Sequence, residues 1–154
     1  MNDHDALVPT LARMPFLSAL DVSDLEALAA SFLEARDHDG HVFFEEGAGA
    51  DGAYLVLEGT VSATVVRGGE TKRLGLLGPG ELFGTIALLD NLPRSATCVA
   101  VGPTRTARLL PAAFWLLAGQ RSGIALVFQQ ALARQLAHDF RRASRRVHEA
   151  CAAR

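Results

Sequence analysis

Residues 78–100 read GPGELFGTIALLDNLPRSATCVA and gather the residue types that hold an anion. Gly84 lets the backbone approach a ligand closely. Thr85 to Leu89 fit one helical turn, whose first N–H groups lack intrahelical acceptors and whose dipole favours negative charge. Arg94 then supplies a planar fork of donors matched to phosphate. Ser95 adds a hydroxyl, and Asn91 and Pro93 shape the loop that delivers the arginine. Turn geometry alone accounts for Gly78 and Gly80.

Other chemistries are less well supplied. His38, His41 and Glu45 invite a metal on a jelly-roll strand, as in cupins. Paired ligands on one strand need a spacing of two to share a face, and these histidines are spaced by three, so no metal is expected. His138 and His148 read as solvated. Ser95 lacks a Gly-x-Ser-x-Gly elbow, and no motif sets a nucleophile beside a base, so no enzymatic activity is expected. Cys98 and Cys151 form neither a CxxC pair nor a disulfide framework.

Three ordered stretches resemble the cyclic-nucleotide-binding domain family, with its catabolite-activator-type β-roll. The family's phosphate-binding cassette runs F-G-E-hydrophobic-A-L-hydrophobic, a variable loop, then P-R-small-A. Here it stands as Phe83-Gly84-Thr85-Ile86-Ala87-Leu88-Leu89, Asp90-Asn91-Leu92, and Pro93-Arg94-Ser95-Ala96-Thr97. Gly40 to Gly47 and Tyr54 to Gly59 match two further strand-and-turn signatures. The resemblance spans about Phe16 to Ala150. It implies a ligand, cAMP or cGMP, held by Gly84, Thr85, Ile86, Ala87, Arg94, Ser95 and Ala96. Gly84 and Ala87 would offer N–H groups to ribose or phosphate, Arg94 would pair with the cyclic phosphate, and Ser95 would lie beside phosphate and purine. No other cofactor is implied. The family's glutamate, which accepts the ribose 2′-OH, is replaced by Thr85. Threonine is shorter and uncharged, so the phosphate half of the site is retained and the ribose half altered. The same residues fit a second class of function, a ligand-free β-roll that serves as a protein-interaction module.

The elements that must position this stretch can be read from periodicity. Leu25, Leu28, Ala29, Phe32 and Leu33 recur at helical spacing, and Ser23 with Glu26 suggests a capping box, so a helix is expected at about 22–34. Residues 1–15 read as a lead-in, weakly ordered or a first helical turn. From Arg36 to Leu110, short β-branched or aromatic runs alternate with glycine, which argues for an antiparallel sandwich or roll. Arg67-Gly68-Gly69-Glu70 reads as a hairpin turn. Pro111 fits the first turn of a helix, and Ser122 caps a longer one over about 123–150. The fold class read from these patterns is mainly β with flanking helices, and the resemblance implies a β-roll over 16–120 with a C-terminal lid and dimerisation helix over 121–154.

Composition narrows the class further. The chain has 154 residues, 49% of them hydrophobic, with a net charge of −2. That suits one domain with a real core and excludes a disordered polyanion or a uniformly basic nucleic-acid binder. Twenty-six alanines and fourteen arginines against one lysine suggest a GC-rich bacterial coding style. No apolar run approaches a membrane span and no secretory signal core is present, so a cytoplasmic protein without a membrane partner is expected. From Arg121 onward seven arginines face two acids, a net +5. The expected reading is a solvated helix face. Few residues follow Val147, so direct sequence-specific DNA binding is not expected. Phe128, Leu132, Leu136 and Phe140 form a stripe continued by Ala143 and Val147, which predicts a homodimer through this helix. As a sensor the chain would signal to a separate protein partner.

Overall fold

The computed structural model describes residues 4–153. α1 (His4–Ala12) carries Leu7 and Leu11, four apart and fully buried. Where the sequence suggested a loose lead-in or a first turn, there is a packed helix. Pro9 lies inside it and masks the helical pattern on reading. After a 3₁₀ turn at Pro15–Leu17 comes α2 (Val22–Ala29). Its cap is Asp21, whose Oδ1 accepts the Asp24 N–H at 2.8 Å, in place of the expected Ser23 box. The helix also ends earlier than its spacing predicts. Phe32 is buried and pairs with Leu109, opening β1 (Phe32–Asp37), so sheet pairing overrides local periodicity there.

β2 (Val42–Phe44), β3 (Ala53–Arg67), β4 (Glu70–Leu77), β5 (Leu82–Phe83) and β6 (Thr97–Leu109) complete a six-stranded sheet. Strand order is β1-β6-β3-β4, with β2 on β6 and β5 on β3, and every pairing is antiparallel. The two long strands build both halves of the roll, and their ladder slips register on either side of Glu58. Gly59 sits there at φ +85°, where a Cβ would lie 2.6 Å from the Pro103 carbonyl oxygen. Only glycine fits, and the irregularity bends the pair into a roll. The hairpin between β3 and β4 turns on Gly68 and Gly69, both at positive φ, as a two-residue loop requires.

The run Ala53 to Leu57 is buried at every position because β3 is covered on both faces. Leu55 and Leu57 face a core shared with α1, α2, Phe114 and Phe128. Tyr54 and Val56 point into the roll with Phe43, Phe83, Cys98 and Ala100. Buried Arg105 on β6 ties this layer across the sheet, bonding to Glu34 of β1 and, at 2.7 Å, to Glu58 of β3. α4 (Pro111–Gly119) starts on its proline and buries Phe114. α5 (Gly123–Ala152) is capped by Ser122, whose Oγ accepts the Ala125 N–H at 3.1 Å. Its 30 residues extend about 45 Å. Phe128 and Leu132 enter the core, Leu136 is half-buried, and Phe140 and Val147 are 74% and 62% exposed. Among the described residues no helix is long and apolar enough to cross a membrane.

Candidate functional site

β5 pairs with Tyr54 and Leu55 of β3, which carries the chain from the roll straight into Gly84. Gly84 has φ +73°, and a Cβ there would lie 2.8 Å from Arg94 Nη1 and 3.0 Å from the Phe44 ring. Backbone conformation and close approach both demand glycine. Thr85, 3% exposed, is the N-cap residue of α3 (Ile86–Asp90) but makes no side-chain capping bond. Asn91, left-handed at φ 56°, ends that helix, and Asp90 Oδ1 accepts the Leu92 N–H at 3.0 Å. The chain then returns along the Gly47–Ala48 loop. Arg94 N–H donates to the Ala48 carbonyl and Gly47 N–H to the Arg94 carbonyl, each at 2.8 Å. This two-bond clamp fixes where the arginine side chain starts.

The Arg94 guanidinium is buried. Nη1 donates to the Gly84 carbonyl at 2.7 Å, and Nη2 to the Gly52 carbonyl at 2.7 Å and to Asp51 Oδ1 at 2.9 Å. The Phe44 ring lies under it, 3.9 Å from Cζ to the ring centroid. Three of five donors are used this way, and Nε is buried without a partner among the described residues. Asp51 is exposed and shared with Arg108 at 3.1 Å.

Gly84, Thr85, Ile86, Ala87, Arg94, Ser95 and Ala96 line one cleft of about 430 Å³. Ile86 and Ser95 are exposed, and Ala87 and Ala96 are buried. One wall is aromatic, from Phe44 and Phe83, with Tyr54 stacked on Phe83 at 5.0 Å between centroids. The other wall is α5, through Leu136, Asp139, Phe140, Arg142 and Arg146. Periodicity alone named Leu136 and Phe140 but not their place in the cleft; it set Arg142 and Arg146 on an opposite, solvated face, whereas both line the same cleft together with Asp139. A helix's stripe is readable, but its rotation over a distant pocket is not. Arg142 seats α5 on the roll: its Nη2 donates to the Leu76 carbonyl at 3.3 Å, and its side chain fills the space above Gly75.

Burial pushes the Cys98 thiol up to about 12, so this lining cysteine stays protonated and is a poor nucleophile or metal ligand at neutral pH. His41 lies 3.4 Å from Asp37 and edge-on to Phe43, and among the described residues no three His, Cys, Asp or Glu side chains gather into a metal site. The cleft therefore offers a deep cation, backbone donors at the start of α3, an aromatic wall and a helix that leans over it. That combination suits a small ligand with an anionic group and a flat ring system.

Residues 38–120 match the family described as cyclic nucleotide-binding domain. The chain is 33% identical over 92 residues to the cAMP-dependent protein kinase type II regulatory subunit of Drosophila melanogaster, covering 60% of this chain and 24% of that protein. It is 43% identical over 79 residues to the Cyclic AMP receptor protein of Thermus thermophilus, covering 50% of this chain and 37% of that protein. The chain thus spans about a quarter to just over a third of these relatives. A cyclic nucleotide-binding domain from Methylobacillus flagellatus shares the fold with a TM-score of 0.80 at 20% identity, over 95% of this chain and 83% of that one.

Proposed function

The chain belongs to the cyclic nucleotide-binding domain family, and we propose that it is a regulatory sensor whose cleft takes a cyclic nucleotide, cAMP or cGMP, and reports occupancy to a partner protein. The observation that carries this reading is the convergence of all seven cassette residues on one cleft closed by α5. In it the phosphate takes the N–H groups at the start of α3 and the Arg94 donors that remain free. The purine lies towards Phe140 and Leu136, so the ligand touches α5 directly. The names of the relatives, a regulatory subunit and a receptor, favour a regulatory over a catalytic role. Because a ligand that binds only the folded state stabilises it, cAMP or cGMP at about one hundred times its Kd adds about 2.7 kcal/mol. A thermal-shift series with both nucleotides should show a dose-dependent rise in Tm. No shift with either one, at concentrations where a known binder responds, counts against the reading.

The same helix supports a homodimer as the output element. The roll covers Phe128 and Leu132, while Phe140 and Val147 stay exposed on the far turns of α5. A second copy of α5 packed there would bury Val147, at about 1.5–3 kcal/mol. Light scattering should give twice the chain mass at micromolar concentration, and Val147→Asp should shift it towards the monomer. A monomeric wild type removes the dimer.

A further inference from the structure

One face of α5 carries a basic stripe that the cleft does not use. Arg134, His138, Arg141, Arg145 and His148 follow one another at steps of four, three, four and three, so they share a face, and all five are exposed. The stripe runs along the helix for about 21 Å. Two hollows, of about 350 Å³ and about 670 Å³, lie along it and meet at His138. The first is lined by Phe16, Glu81 and Arg134, the second by Arg141, Arg145 and His148. Arg134, Arg141 and Arg145 have no ion pair among the described residues. Against these cations the hollows hold Glu81, which lies 3.8 Å from His138, and Glu149. Like charges three and four apart on a helix repel one another, so the bare stripe costs the free chain stability. Phe140 lines both the second hollow and the nucleotide cleft, so a partner seated here meets the helix turn that the ligand meets.

We propose that this stripe docks an acidic helix of the partner protein, with Asp or Glu repeating every three or four residues. It rests on the sensor reading for the existence of a partner, and on the stripe for the partner's chemistry. Residues so spaced rise about 4.5–6 Å along a helix axis, so a facing acidic helix meets each arginine in turn. Charge favours such a narrow partner over a nucleic acid or an anionic membrane. The whole chain carries −2 and the residues from Arg121 onward +5, which leaves −7 on the rest. A polyanion that spreads past the stripe meets that negative roll within a Debye length of about 8 Å, whereas a single helix stays over the arginines.

The test is fluorescence anisotropy of a labelled helix-forming peptide of Ala and Glu, with Glu every three or four residues, titrated with the full chain at low and at physiological ionic strength. The wild type should bind it with an affinity that falls as salt rises, and should not bind the counterpart with Lys in place of Glu. Arg141→Glu with Arg145→Glu should weaken binding about tenfold or more, and Arg134→Ala with Arg141→Ala should weaken it in the same direction. Arg36→Glu with Arg73→Glu makes the same change of net charge at two exposed arginines elsewhere and should shift affinity less than about twofold. Equal losses in the two charge-reversed variants, no binding by the wild type, or tighter binding of a DNA duplex or of phosphatidylserine vesicles than of the acidic peptide overturns the inference. Titrating cAMP and cGMP into the same samples tells the two failures apart. Nucleotide binding without peptide binding removes the docking face alone, and the absence of both removes the sensor reading with it.

Discussion

Arg94→Ala should lower cyclic-nucleotide affinity by about a hundredfold or more and destabilise the unliganded fold as well. The guanidinium is the cleft's buried cation, and a desolvated charge-assisted bond to phosphate contributes about 1.5–3 kcal/mol, with more than one bond available from its free donors. The same side chain satisfies the Gly84 and Gly52 carbonyls and covers the Phe44 ring. Truncation leaves those carbonyls short of a partner at about 1–3 kcal/mol each and opens a void beside the residue where φ is already positive. Arg94→Lys separates the two roles. It keeps the charge but loses the fork, so it should retain more stability than alanine while still binding poorly. Denaturant unfolding and calorimetry read the two effects independently, and unchanged affinity in Arg94→Ala would mean that the arginine serves the fold alone.

The largest loss of stability is expected from Phe114→Ala. Phe114 is fully buried and meets the Phe128 ring edge-on, with centroids 5.8 Å apart. With Leu117 it carries α4 into the core that α5 shares with α1, α2 and β3. Emptying such a site costs about 3–5 kcal/mol, a large part of the 5–15 kcal/mol that holds a domain together. The loss should appear as an earlier unfolding midpoint with an unchanged denaturant slope. Because α5 is the cleft's outer wall, affinity should fall too. A loss below about 1 kcal/mol would mean that α4 does not carry α5 as described.

What was legible in the sequence was local. Gly84, Arg94 and their neighbours sit close together in the chain, so type and spacing sufficed to group them. The Gly68-Gly69 hairpin and the Ser122 cap were readable for the same reason. What failed depended on distant partners. Phe32 and Leu33 keep helical spacing, yet pairing with Leu109 and Arg108 makes them strand. SATCVAVG and TRTARLLP read as two strands but form one, because β3 lies alongside both. Arg105, which no local pattern singles out, is buried between two glutamates from other strands. Asp139 reads as a solvated acid on a basic helix, and only the rotation of α5 brings it to the cleft.

Equilibrium dialysis of the wild-type protein against tritiated cAMP and, separately, tritiated cGMP tests the central claim most directly. Saturable uptake of one nucleotide per chain, displaced by the unlabelled compound and lost in Arg94→Ala, is the predicted result. No saturable uptake of either nucleotide by a folded wild type would contradict it, and would leave the cassette as the scaffold of a ligand-free interaction module.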